Sequence, residues 1–95
     1  MIPKEMTFVW LGREMPEYAR LNIERFQIMN PDFNVRVIGE EYQLSRWADR
    51  AAACSCDCSR SDLYRLDALR QNGGWYMDCD FYTLRSFAPL YEAYC

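Results

Sequence analysis

The chain has 95 residues and a net charge of −3, and both values narrow what it can be. A chain of this length forms one small domain that buries roughly 60–65 % of the surface exposed by its unfolded form. The acidic balance argues against nucleic-acid binding, which needs basic surface to displace counterions, and the absence of histidine removes the commonest general base and a common zinc ligand.

The first predicted element is a strand within residues 7–11, an apolar run that ends at Gly12. From composition alone, Trp10 is a tryptophan that packs in the core. Pro16 then begins a predicted helix that continues to about Met29, where Asn30 and a proline end it. The apolar stripe predicted to face inward consists of Tyr18 or Ala19, Leu21, Ile23, Phe26, Ile28 and Met29.

Residues 33–38 predict a second strand, because they alternate between apolar and polar side chains before becoming wholly apolar. Strand, helix and strand together predict a β-α-β unit with a right-handed parallel crossover, which opens a Rossmann-like sheet. Residues 40–53 predict a further helix in which Leu44 and Trp47 face inward. No stretch approaches the ~18 apolar residues of a membrane span, and no secretory leader is visible.

Three cysteines, Cys54, Cys56 and Cys58, follow on alternate residues. Zinc sites favour pairs with wider spacing from two separate places, and a fourth ligand here would have to be Cys79 or Cys95. The alternative is that the three are small side chains in a loop, and the pattern leaves adventitious metal binding open. Five cysteines are an odd number, which fits a reducing compartment better than a disulfide scaffold, so we predict a cytoplasmic protein.

Residues 61–80 predict a helix, a two-glycine stop, a short strand and two carboxylates in succession. Ser61 is the predicted N-cap, and the negative charge of Asp62 suits the first helical turn. Gly73 follows Asn72 and ends the helix, since glycine adopts the left-handed conformation without a Cβ penalty. Residues 75–77 are apolar and aromatic, as in a buried strand. Leucines at helical spacing predict the inward face: Leu63, Leu66 and Leu69.

Asp78 and Asp80 come at the carboxyl end of that strand. In an extended strand, side chains two residues apart point to the same side and lie roughly 7 Å from one another. Two carboxylates in this arrangement can share a hydrated Mg²⁺ or Mn²⁺ that also carries phosphate oxygens. A bare D-x-D is more often a solvated acidic turn, so the flanking residues have to decide between the two interpretations.

Those flanking residues resemble the family-32-type glycosyltransferases, nucleotide-sugar enzymes of the GT-A fold to which glucosylating toxins and fungal initiating mannosyltransferases are similar. The family pattern is S-D-x-x-R, a helix, and then G-G-x-Y-x-D-x-D. The amino-terminal part also matches, with I-P-K at residues 2–4 and W-x-G at residues 10–12; the usual histidine before the first strand is replaced by Met6-Thr7. The matching residues are Ser61, Asp62, Arg65, Gly73, Gly74, Tyr76, Asp78 and Asp80.

The resemblance implies an α/β fold, the Rossmann-like three-layer nucleotide-binding half of a GT-A domain. It implies that residues 1–95 form one nucleotide-sugar-binding domain, truncated at its carboxyl end because a GT-A enzyme needs an acceptor lobe after the D-x-D. The implied activity is transfer of a sugar from a UDP- or GDP-sugar, assisted by Mn²⁺ or Mg²⁺, to an unknown acceptor: a glycan, a lipid or a protein. The alternative is a non-catalytic nucleotide-sugar-binding module.

The resemblance also implies roles for five side chains. Asp80 ligates the metal, while Asp78 contributes to the metal site and binds ribose and sugar hydroxyls. Trp10 stacks on the base, Asp62 accepts from the donor sugar, and Arg65 orients Asp62 and approaches the phosphate oxygens. Asp78, Asp80 and Arg65 are the implied catalytic residues. From spacing alone, Asp62 and Arg65 form an ordinary ion pair within one helix.

Overall fold

Three parallel strands in the order β2-β1-β3 form the centre of the protein, whose computed structural model describes residues 2–94. The register pairs Glu5 with Asn34 and Met6 with Trp75. The strands are β1 (Glu5–Val9), β2 (Asn34–Ile38) and β3 (Trp75–Tyr76). The helices are α1 (Glu17–Met29), α2 (Ala48–Ala53), α3 (Asp57–Asn72) and α4 (Ala88–Tyr94). None of the helices described here is long and apolar enough to cross a membrane.

The central strand β1 is covered on both faces, which gives the protein three layers. Met6 and Phe8 pack against α1, in a cluster with Ile23 and Phe26. Val9 points to the opposite face and packs in a second cluster with residues of α2 and α3, among them Ala51, Tyr64 and Ala68. Successive side chains of a strand point to opposite faces of the sheet. Because both faces of β1 are covered by helices, its sequence is apolar without interruption by charged residues after Glu5. The predicted α/β fold and parallel β-α-β unit are confirmed.

Helix α1 has the predicted bounds, but its buried face is narrower than the predicted stripe. Ala19, Ile23 and Phe26 are buried, Met29 is half-buried, and the remaining apolar positions of the stripe are exposed. Tyr18 is 51 % exposed and Ile28 is 78 % exposed. The reason is that one sheet face contacts only the positions spaced by three and four residues along a helix. The stripe was therefore predicted too wide.

The predicted helix over residues 40–53 is wrong in its first half. Residues 40–47 form turns and irregular chain, and α2 contains only six residues. Asp67 explains the difference, because its carboxylate accepts hydrogen bonds from the backbone N–H groups of Ser45 and Arg46 at 3.2 and 3.1 Å. Amides held in this way cannot join a helical ladder. Trp47 then adopts a left-handed conformation with φ of 60° immediately before α2.

Helix α3 begins at Asp57, five residues earlier than predicted, so Ser61 is not its N-cap. Cys56 occupies that position and makes no side-chain capping hydrogen bond. The predicted leucine stripe is wrong at Leu66, which is 51 % exposed, whereas Leu63 packs against the second buried cluster. The predicted end of the helix is confirmed, because Gly73 has φ of 67° and donates its N–H to the Leu69 carbonyl at 2.8 Å. The buried residues of α3 are Tyr64, Asp67 and Ala68.

Candidate functional site

A cavity of about 540 Å³ lies at the carboxyl ends of β1 and β3. The chain leaves β1 in one direction to form β2 and returns to the other side of β1 to form β3, so α1 and α3 cover opposite faces. In open α/β sheets, ligands bind at this reversal of strand order. The cavity is lined by Val9, Trp10, Leu11, Arg13, Tyr18, Asp57, Cys58, Ser61, Asp62, Tyr76, Asp78, Cys79 and Asp80.

Asp78 and Asp80 both line this cavity, but they lie in a turn and not in an extended strand. Strand β3 ends at Tyr76, and the Phe81 N–H donates to the Asp78 carbonyl at 3.2 Å. The two aspartates are exposed, whereas Cys79 between them is 5 % exposed. Both aspartates thus border the cavity from a turn with a buried middle residue, and not from the extended strand that the sequence predicted. We call residues 78–80 the D-C-D turn.

The carboxylates of this turn make the surrounding electrostatic potential negative. Burial and the nearby carboxylates of Asp78 and Asp80 together raise the pKa of the Cys79 thiol to about 11. Burial and the Asp78 carboxylate likewise raise the pKa of Tyr76 well above its usual value. Such a field favours a cation over the turn. The carboxylates that line the cavity are Asp57, Asp62, Asp78 and Asp80.

The cavity fits a cation for which the protein would supply only part of the coordination shell. Within residues 2–94 there is no group of three or more Cys, Asp and Glu side chains that could enclose a metal ion. Mg²⁺ and Mn²⁺ sites that carry a nucleotide commonly use one or two carboxylates and complete the shell with water and phosphate oxygens. The two carboxylates of the D-C-D turn have the right chemistry for this. Cys95, one of the candidate thiol ligands, lies outside the described residues.

Asp62 and Arg65 form the ion pair expected for residues one helical turn apart. Arg65 donates to Asp62 at 2.7 Å, and its guanidinium lies 4.9 Å from the centre of the Tyr76 ring. Asp62 lines the cavity, while Arg65 lies next to it across the Tyr76 ring. Both side chains are partly exposed, so the pair itself contributes little stability. Their predicted contact with a donor sugar stays a prediction.

Trp10 follows β1 directly and belongs to both the core and the cavity. Its indole is half-buried, packs against the cluster on the α1 side, and lines the cavity. The indole Nε1–H donates to the Arg13 carbonyl at 2.9 Å, and the Arg13 guanidinium lies 5.6 Å from the ring centre. The tryptophan is therefore fixed at the cavity wall by a hydrogen bond within its own loop. The indole thus contributes to the core and borders the cavity at the same time.

An ionic network that the sequence did not predict joins the walls of the cavity. Glu40 accepts two hydrogen bonds from Arg60, each at 2.6 Å, and a third from the Gly12 N–H at 2.8 Å. These donors lower the pKa of Glu40 to about 2. Arg60 also donates to Asp57 at 2.9 Å. The loop after β1 is thereby tied to the first turn of α3.

Gly12 is required in this arrangement for a reason of space and conformation. Its φ is 90°, and a Cβ atom at this position would lie 2.1 Å from the Asp57 Oδ2 atom. In the sequence, Gly12 is the only local signal of this contact, and its position after an apolar run predicts only the end of a strand. Glu40 and Arg60 are 20 residues apart, and no spacing rule connects them.

Comparison with known proteins agrees with this geometry. The family described as "Glycosyltransferase sugar-binding region containing DXD motif" matches residues 16–95. Among solved structures, the chain is similar to "PaToxG Glycosyltransferase", with 17 % identity and a TM-score of 0.74. That likeness covers 90 % of this chain and 45 % of the other, so the chain spans less than half of its length. No curated protein sequence matches.

Proposed function

The chain belongs to the glycosyltransferases that contain a D-x-D sugar-binding region, and we propose that its cavity binds a UDP- or GDP-sugar together with Mn²⁺ or Mg²⁺ for glycosyl transfer. The observation that carries the proposal is the position of the D-C-D turn at the reversal of strand order, where α/β sheets bind their ligands. A cytoplasmic location is proposed on the cysteine content alone.

The acidic cavity is the reason for expecting a metal. A pyrophosphate next to Asp78 and Asp80 is repelled, since two unit charges about 5 Å apart interact by ~3 kcal/mol at an effective dielectric constant of about 20. A divalent cation at the turn supplies the compensating charge and stabilises the negative charge that develops on the departing nucleotide. Asp80 is assigned to the metal, and Asp78 to the metal and to ribose or sugar hydroxyls.

Helix α3 supplies the remaining polar contacts on the cavity wall. Asp62 accepts hydrogen bonds from donor sugar hydroxyls, while Arg65 holds the Asp62 carboxylate and approaches the phosphate oxygens. The 2.7 Å contact between the two supports this division, because a carboxylate already fixed by a guanidinium loses less freedom when it binds a sugar. The GT-A assignment and a glycan, lipid or protein acceptor belong to the same proposal.

Nucleotide binding should depend on a divalent cation. Calorimetry with UDP, GDP and their sugars should show binding in Mn²⁺ that EDTA abolishes, because the carboxylates then repel the phosphates. Equal affinity with and without Mn²⁺ would contradict the metal role, and no binding in either condition would contradict the proposed function. The chain would be the non-catalytic alternative if it binds the nucleotide sugar only with metal but releases no nucleotide from it when a panel of acceptors is supplied.

Trp10→Ala should weaken nucleotide binding by roughly 1–3 kcal/mol, the usual worth of an aromatic face against a nucleobase. The fold should remain, because the half-buried indole is not enclosed by the core. Trp47→Ala is the matched control, since Trp47 is also half-buried but does not line the cavity. Circular dichroism and calorimetry measure the two effects. Unfolding of the Trp10→Ala variant, at a cost of ~3–5 kcal/mol, would instead assign Trp10 to the core.

A further inference from the structure

The sheet provides little support for the D-C-D turn. Strand β3 contains two residues, and the last backbone hydrogen bond toward β1 runs from the Met77 N–H to the Thr7 carbonyl at 3.2 Å. Beyond Met77, the Phe81 N–H closes the turn on the Asp78 carbonyl. A short turn of this kind does not by itself hold two exposed carboxylates in one direction. Contacts from another element are needed.

Helix α1 makes such contacts with polar side chains on the face next to the turn. Asn22 Nδ2 donates to the Cys79 carbonyl at 2.9 Å, which is the carbonyl between the two aspartates. One turn further along α1, Arg25 Nε donates to the Thr83 carbonyl at 2.6 Å. The Arg25 guanidinium also lies 4.4 Å from the centre of the Tyr82 ring. The chain is thus held on α1 at the turn and again just after it.

We propose that Asn22 is a positioning residue for the donor site, which acts by fixing the Cys79 carbonyl and through it the directions of Asp78 and Asp80. The Cys79 side chain is itself buried, in the cluster that includes Ile23 of α1, with its Sγ 3.7 Å from the Val9 carbonyl. A residue held at both its carbonyl and its side chain leaves its two neighbours one common orientation, toward the cavity. The inference rests on the proposed function of the D-C-D turn.

A purely structural role would have different consequences. Asn30 provides the comparison, because it is buried and also holds backbone: its Oδ1 accepts from the Phe87 N–H at 2.6 Å. That contact is seven residues beyond Asp80, so its loss would lower stability without turning the carboxylates. Asn22 is half-buried and contacts the turn itself. Its loss should therefore change cation binding more than it changes stability.

Asn22→Leu tests the inference, and Gln27→Leu is the matched control because Gln27 is an exposed amide on the same helix. Residues that orient metal ligands typically change metal affinity by roughly 10- to 100-fold when replaced. We expect a loss of that size in Mn²⁺ affinity, measured by water-proton relaxation, for Asn22→Leu and no change for Gln27→Leu. By NMR, the Phe81 amide should exchange faster in Asn22→Leu, while the Met77 amide keeps its protection.

Unchanged Mn²⁺ affinity and unchanged Phe81 exchange in folded Asn22→Leu would overturn the inference. If Asn22→Leu does not fold, Asn22→Asp replaces it, since it has the same shape and lacks the donor at neutral pH. Its added negative charge by itself favours Mn²⁺, so weaker binding would support the inference, and equal or tighter binding would overturn it. If the unaltered protein binds no nucleotide with Mn²⁺, the proposed function fails, whereas Phe81 exchange still decides whether Asn22 holds the turn.

Discussion

Replacing Asp67 by alanine should destabilise the protein by about 3 kcal/mol or more, a large share of the 5–15 kcal/mol typical of whole domains. Asp67 is fully buried, and both of its carboxylate oxygens accept hydrogen bonds. Its donors include the Tyr42 hydroxyl at 2.7 Å, the Ser45 hydroxyl at 2.7 Å and the Gln71 amide at 2.8 Å. Hydrogen bonds to a charged group contribute ~1.5–3 kcal/mol each, and loss of the carboxylate removes the acceptor from several donors at once.

Chemical denaturation of Asp67→Ala and of Asp49→Ala measures this effect. Asp49 is an exposed acid on α2, so its replacement should change the free energy of unfolding by less than about 0.5 kcal/mol. Hydrogen exchange should also show that the segment of residues 42–46 opens before the sheet does. A loss below ~1 kcal/mol for Asp67→Ala would mean that water replaces the carboxylate and that the loop needs no anchor.

The pH dependence of unfolding provides a second measurement on the same carboxylate. Burial alone would raise the pKa of Asp67, but the hydrogen bonds from Ser45, Tyr42 and Gln71 outweigh it and hold the pKa well below its usual value. The stabilisation is therefore complete above the unfolded pKa of about 3.9, and it is lost as the pH falls through the lower folded pKa. Asp67→Asn should show a flatter decline of stability below about pH 4.

Asp67 also marks the limit of what the sequence could predict about the fold. The strands, α1 and the end of α3 follow from local signals, such as the apolar run of β1 and the left-handed Gly73. The loop over residues 40–47 follows from a carboxylate more than 20 residues away, and its own composition is compatible with a helix. The start of α3 was misplaced for a related reason, because Ser61 has the side chain of a cap but lies inside the helix.

The sequence predicts which residues meet at the candidate site, but it does not predict the contacts that position them. Asp78, Asp80, Asp62 and Trp10 lie around one cavity, as a D-x-D site requires. The D-C-D turn, however, depends on a hydrogen bond between residues 22 and 79, which are 57 positions apart. Periodicity and motif spacing describe neighbours along the chain, so such a contact leaves no trace in them. The same holds for the bridge between Glu40 and Arg60.

Asp80→Asn should lower the rate of metal-dependent nucleotide release from the donor sugar by roughly 10²–10³-fold, a larger effect than on binding of the donor. The substitution keeps the shape of the side chain but removes the charge assigned to the metal. An amide oxygen still accepts a hydrogen bond or a cation weakly, so binding of the sugar should be reduced less than release. Donor hydrolysis, followed as UDP or GDP formation over a range of Mn²⁺ concentrations, measures the change.

Asp57→Asn is the control that separates metal ligation from the overall negative charge of the cavity. Asp57 lines the same cavity and carries the same charge, but its carboxylate is occupied by Arg60 at 2.9 Å and packs over Gly12. We therefore expect Asp57→Asn to change the Mn²⁺ concentration needed for half-maximal nucleotide release only a few-fold. This is roughly the effect of one charge screened by solvent and a neighbouring guanidinium. Equal, large losses in both variants would contradict a specific role of the D-C-D turn. They would mean that the cavity attracts its cation through summed charge, and that Asp80 is one carboxylate among four.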